Sequence, residues 1–213
     1  MFYAKKIIIC LVLFSSLISV AELPEPFNIS PVLPESLWGW LGTKNQKYLE
    51  KFIVENKPQK VVEIGTWLGL SAIFIAKKLQ SGAILFCIDP WVPYKDMENI
   101  PECQAPLKIA YQQFLSNCIH NQVTDKIKPM KMSSMQAVNY FSSDIDLIYI
   151  DGSHLEEDVY NDIIFWYPKL SSNGIMCGDD MGWPSVYRAV MRAKQKINVT
   201  VEFDDNFWWL ERN

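Results

Sequence analysis

From Lys60 to Ile197, short apolar runs alternate with longer stretches whose apolar residues recur at helical spacing. This alternation leaves the chain very few folds. Lys60–Ile64, Ala83–Ile88, Ile127–Met132, Ile145–Ile150 and Gly174–Cys177 read as strands. Ser71–Leu79, Pro106–Ile119, Met135–Phe141, Glu156–Leu170 and Ser185–Ile197 read as helices, with Lys44–Glu55 as a further helix before the first strand. Strand following helix in this order is the pattern of a doubly wound α/β sheet with right-handed crossovers. Val199–Phe203 and Phe207–Leu210 read as a terminal hairpin across Asp204-Asp205-Asn206. Pro24, Pro26, Pro31 and Pro34 make residues 22–35 an extended linker.

Open α/β sheets bind ligands beyond the carboxyl ends of their strands. The chemistry is therefore expected in Gly65–Ser71, Asp89–Trp91, Met132–Ser134, Asp151–His154 and Gly178–Asp180. Acidic residues follow three of the strands, which packing alone does not explain. The first strand runs into Glu63-Ile-Gly65-Thr-Trp-Leu-Gly69-Leu-Ser71. Two glycines four apart let backbone approach a ligand and leave helix N–H groups free. The G-x-G-x-x-G spacing that accommodates a pyrophosphate is absent, and Trp67 and Leu68 are bulky. With Glu63 at the strand end, the loop suits a cationic ligand without phosphate, such as a sulfonium amino acid; a bare structural turn is the other reading. Asp89, 20 residues after Gly69, is placed to accept both hydroxyls of a ribose, or else to cap the turn before Pro90. Met132 and Ser133 are placed to line an adenine face.

Asp151 follows one strand, and Asp179 and Asp180 follow the next, 28 and 29 residues later. Neighbouring strands would bring three like charges to one edge, where a cation would relieve them. Oxygen-only ligands suit a hard ion such as Mg²⁺. Two histidines and no close cysteine pair argue against zinc. Solvated loop acids and helix caps are the alternative. His154, three residues past Asp151, is placed either to take a hydroxyl proton or to cap the helix beginning near Leu155. His120 reads as solvated. Trp91 and Trp183 follow strand ends and are expected to wall a pocket; Tyr94, Trp208 and Trp209 are weaker candidates, and Glu102–Gln113 reads as a lid.

The runs EIGTWLGLS, DLIYIDGSH and GIMCGDD, together with Asp89, resemble class I S-adenosylmethionine-dependent methyltransferases. Within that class the chain is similar to the metal-dependent catechol O-methyltransferase type and to the bacterial group of sugar and macrolide O-methyltransferases and cephalosporin-hydroxylase-like proteins. The resemblance runs from about Lys44 to the end. It implies an α/β, doubly wound, seven-stranded Rossmann-like sheet whose last strand, FWWLER, is antiparallel. It implies that Glu63, Gly65 and Gly69 hold the methionine half of S-adenosylmethionine, with Ser71 on its carboxylate, Asp89 on the ribose, and Met132 and Ser133 on the adenine edge. It further implies Mg²⁺ on Asp151, Asp179 and Asp180, with an Asp at 180 where the catechol type has Asn, and His154 as general base beside Asp151. The expected reaction is methyl transfer to a hydroxyl of a small molecule.

Composition narrows the partners. At 49% hydrophobic and 13% aromatic the chain buries a core, and 24 acids against 20 Lys and Arg argue against a nucleic-acid binder. Residues 1–21 have the layout of a signal peptide: Lys5 and Lys6, the uncharged run Ile7–Val20, and Ser19 and Ala21 at −3 and −1 of a cleavage point before Glu22. That run is shorter than the roughly 20 residues that span a bilayer, so no stable membrane span is expected after cleavage. Export to the periplasm or beyond follows, an uncleaved N-terminal anchor being the alternative. The expected organisation is leader 1–21, linker and N-terminal segment 22–43, and domain 44–213. Because S-adenosylmethionine is made in the cytosol, export also favours a rival, a non-catalytic binding protein that keeps the fold. In an oxidising compartment Cys103 and Cys118 are candidates to pair.

Overall fold

The computed structural model of the chain describes residues 23–29, 32–92 and 109–212. Helix α1 (Thr43–Asn56) precedes strand β1 (Lys60–Ile64), helix α2 (Leu70–Lys78) and strand β2 (Ile84–Asp89). Helix α3 (Ala110–His120), strand β3 (Ile127–Lys131) and the short helix α4 (Ser134–Ala137) follow, α4 running into a 3₁₀ turn at Val138–Tyr140. Then come β4 (Ile145–Ile150), α5 (Glu156–Trp166), β5 (Leu170–Gly178), α6 (Pro184–Ile197), β6 (Val199–Asp204) and β7 (Phe207–Arg212).

The seven strands form one sheet in the order β3-β2-β1-β4-β5-β7-β6. The first five are mutually parallel, and β7 inserts antiparallel between β5 and β6. The order reverses at β1, so β1 and β4 diverge to opposite sides of a crevice at their carboxyl ends. The expected sheet and its antiparallel last strand are therefore present.

Alternation along each strand divides the core in two. Val61, Leu85, Cys87, Leu147 and Tyr149 pack on one face against Leu49 and Phe52 of α1, Ala72 and Ile75 of α2, and Phe114 and Leu115 of α3. Val62, Ile64, Ile88, Ile148 and Ile150 pack on the other against Ile163 and Trp166 of α5 and Ala189 and Val190 of α6. Glu63 shares the first face, buried among apolar neighbours.

Two elements differ from the sequence reading. α5 gives way after Trp166 to a 3₁₀ turn at Tyr167–Lys169, since Pro168 has no N–H to continue the α pattern. β5 starts at Leu170, before the apolar run, and its register against β4 shifts between Ile145 and Leu147. The proline-rich segment is non-helical but is packed on the domain. Phe27 is buried in the first core, Leu33 N–H donates to Ser116 Oγ (3.0 Å), Ser36 N–H donates to Asn117 Oδ1 (2.9 Å), and Gln113 Nε2 donates to Pro34 O (2.8 Å). Cys87, Cys118 and Cys177 are buried free thiols; Cys103 lies outside the described residues, as do Tyr94, Glu102 and residues 1–21.

Candidate functional site

The β1–α2 loop is shaped by steric necessity. Gly65 has φ 85°, and any Cβ there would collide with the backbone carbonyl of Asp151 where β4 ends alongside. Gly69, at φ 90°, is the N-cap of α2, and a Cβ there would lie 2.7 Å from the Phe114 ring. Both positions need glycine. No side chain caps α2, so its first N–H groups are open to an anion at that end.

Asp89 staples this loop. One carboxylate oxygen accepts from the N–H groups of Thr66 (3.1 Å) and Trp67 (2.9 Å), and the other accepts from Trp91 N–H (2.6 Å). Burial raises the Asp89 carboxyl, and these three donors oppose the rise. A carboxylate has about four acceptor positions. Three are used within the chain, which leaves one for a further donor. Trp91 is buried against Phe114 and Tyr111, and its indole N–H donates to Trp67 O (2.7 Å). It is a prop for the loop rather than a pocket wall.

Glu63 lies beneath the loop, fully buried, with Oε2 accepting from Thr66 Oγ1 at 2.8 Å. Burial pushes its carboxyl up to about 7, against the lowering effect of Ser71 and Thr66. Glu63 Oε1 and Trp67 Nε1 are buried without a hydrogen-bond partner, and among the described residues no other side-chain atoms are. Orphaned polar atoms of this kind ask for a ligand or a water.

Asp151, Asp179 and Asp180 meet at the adjoining ends of β4 and β5, each offering an oxygen within 4.8 Å of the other two. Burial, and then the charges of Asp179, Asp180 and Glu63, hold the Asp151 carboxyl well above the usual range. Burial and Asp180 push Asp179 up to about 6. Asp180 sits at φ 64° in a tight turn whose carbonyl accepts from Trp183 N–H (2.9 Å). His154 Nε2 is 2.8 Å from Asp180 Oδ2, and the imidazole stacks on Trp183, with ring centroids 4.7 Å apart and planes within 4°. Its neighbour Ser153, rather than His154, bonds the N–H of Leu155 at the start of α5.

A cavity of about 380 Å³ joins the two halves. Gly65, Ser71, Asp89, Asp151, His154, Asp179 and Asp180, all read from the sequence, line it, as does Trp183. Glu63 is buried behind that lining, Gly69 starts the adjacent helix, and Met132 and Ser133 lie off it. Met132 packs on the second core, and Ser133 N-caps α4 in a capping box with Gln136. His120, read as solvated, is exposed but lies 2.8 Å from Leu33 O. The sequence reading missed Gly39 and Trp40, which come from the proline-rich segment to the cavity mouth. Trp40 is 58% exposed and edge-on to Trp38, which in turn meets Trp67. The Trp-Gly-Trp run was their one signal.

Comparison with known proteins agrees with this geometry. Residues 62–181, more than half of the chain, match the family model described as a methyltransferase domain. The chain is 25% identical over 134 residues to the O-methyltransferase hkm8 of Aspergillus hancockii, covering 62% of this chain and 47% of that protein. It therefore spans about half the length of that relative. In fold it is similar to the O-methyltransferase TomG of Streptomyces achromogenes, solved in complex with SAM (TM-score 0.62, 12% identity, 80% of each chain). It is likewise similar to an O-methyltransferase of Bacillus cereus in complex with SAH (TM-score 0.60, 14% identity, 93% of this chain and 92% of that one).

Proposed function

The chain belongs to the methyltransferase domain family, and on that premise we propose that it transfers a methyl group from S-adenosylmethionine to a hydroxyl of a small molecule, with Mg²⁺ at the carboxylate trio. One observation carries the reading. A single cavity is bounded on one side by the glycine loop and the open end of α2, and on the other by three carboxylates and an oriented imidazole.

The residues suit both groups. The orphaned polar atoms Glu63 Oε1 and Trp67 Nε1 flank the loop that would hold the methionine half of S-adenosylmethionine. Ser71 and the free N–H groups of α2 suit its carboxylate, and Asp89 suits one ribose hydroxyl. Three carboxylate oxygens within 4.8 Å are the donor set of a hard cation. When bound, S-adenosylmethionine supplies an electrophilic methyl on its sulfonium, and Mg²⁺ lowers the pKa of the acceptor hydroxyl. His154 would take the hydroxyl proton as the methyl group passed from the sulfonium to that oxygen, with S-adenosylhomocysteine as the leaving group. The contact to Asp180 and the stack on Trp183 fix the imidazole plane for that transfer. Because the reaction annihilates opposite charges, these side chains act mainly by aligning the reactants and excluding water.

Calorimetry with S-adenosylmethionine, followed by an assay for S-adenosylhomocysteine release over a panel of hydroxylated small molecules, tests the proposal. Binding is expected, with turnover that EDTA removes and Mg²⁺ restores. A folded protein that does not bind S-adenosylmethionine would overturn it, and full turnover in EDTA would remove the cation from it.

A further inference from the structure

The carboxylate trio is tied to a helix that the β-strand ends alone would not involve. Tyr149 precedes Asp151 by two residues, so the two side chains fall on one face of the sheet. The Tyr149 ring is fully buried and stacks on Phe207. Its hydroxyl accepts from Asn45 Nδ2 at 3.0 Å and donates to Asp151 Oδ2 at 3.2 Å. Asn45 is itself buried, in the first turn of α1, and its amide also faces Asp179, whose carboxyl it lowers. The same turn of α1 is pinned to the far edge of the sheet. Lys44 Nζ lies 2.7 Å from Asp204 Oδ2, and Tyr48 OH donates to that oxygen at 2.9 Å.

We propose that Asn45 and Tyr149 are a positioning pair that fixes the Asp151 and Asp179 carboxylates for a divalent cation. The proposal rests on the reading of the trio as a cation site. Its physical basis is the unbroken chain of hydrogen bonds from α1 through Tyr149 to the first carboxylate, which restricts where that carboxylate can point. A donated hydrogen bond favours the carboxylate and restricts its rotation. Asn45 occupies the Tyr149 oxygen and so directs its hydrogen toward Asp151.

The test uses the full chain with Mn²⁺ alone as probe, read by calorimetry and by electron paramagnetic resonance of the bound ion. Tyr149→Phe removes one oxygen from the core, and Asn45→Leu removes the amide at similar volume. Each is expected to weaken Mn²⁺ binding by about 10–100-fold, as loss of a ligand-orienting contact does. S-adenosylhomocysteine affinity is expected to stay within about threefold, which a general loosening of the fold would not allow. The double variant should be no weaker than the worse single one, because the two side chains act in one chain of hydrogen bonds. If Tyr149→Phe fails to fold by circular dichroism, Asn45→Leu decides alone. Mn²⁺ affinity unchanged in the folded variants, or lost in parallel with S-adenosylhomocysteine affinity, would overturn the pair. A wild-type chain that binds no Mn²⁺ would overturn the cation reading itself.

Discussion

Gly65 and His154 show how differently single residues support this site. At Gly65 a side chain would require a left-handed backbone and would strike the Asp151 carbonyl. Gly65→Ala is therefore expected to cost about 2–4 kcal/mol and to displace the first carboxylate. Thermal unfolding beside Mn²⁺ titration would register both effects. His154 is partly exposed, and little packing depends on it. His154→Ala should keep the fold and S-adenosylmethionine affinity while slowing transfer by about 10²–10⁴-fold, the usual worth of a general base. Single-turnover kinetics would check that, and a normal rate would reduce the histidine to a partner of Asp180. These residues were legible because acids, glycines and histidines at strand ends have little packing reason to be there. The three backbone donors that fold back onto Asp89 leave no mark in sequence. Asn45 and Tyr149 were not legible. An Asn within a polar helix turn and a Tyr in an apolar run look like surface and core until 104 residues of separation close to 3.0 Å.

At the scale of elements, α5 holds a titratable group away from the site. Asp162 is 6% exposed; Ser134 Oγ donates to it and in turn accepts from Trp166 Nε1 at 2.7 Å. Burial pushes its carboxyl from 3.8 to about 7, against the hydrogen bond from Ser134. The folded chain thus holds this proton through a window where the unfolded chain has released it. Stability from this group falls as pH rises from about 4 to 7 and is lowest above 7. Asp162→Asn, which still accepts from Ser134, should remove up to one proton from the slope of stability against pH in that window. Urea unfolding at pH 5 and pH 7.5 would measure it, and an unchanged slope would place the titration elsewhere, with Glu63 and Asp179 the next groups of the same sign. Periodicity found the elements because apolar runs mark buried strands well. It missed the start of β5 because Ser171, Ser172 and Asn173, in its irregular first half, carry no apolar signal. It read residues 22–35 as a linker because prolines declare backbone shape but not what the segment packs on.

For the molecule as a whole, the leader expectation has a direct check. Mass spectrometry of the chain from its own host should find Glu22 at the N-terminus; a full-length cytosolic chain would refute export and would remove the problem of methyl-donor supply. The insertion of β7 between β5 and β6 has another consequence. Trp208 fills the space where Gly178 lacks a side chain, and its indole N–H donates to the carbonyl of Asp179 at 2.9 Å. The acidic pair is thus seated by the strand that inserts beside β5. Without β7, the Asp179 carbonyl would lose its indole donor and Gly178 the ring that covers it. The sheet order thus makes the acidic pair depend on a strand whose Trp208 lies 29 residues further along the chain.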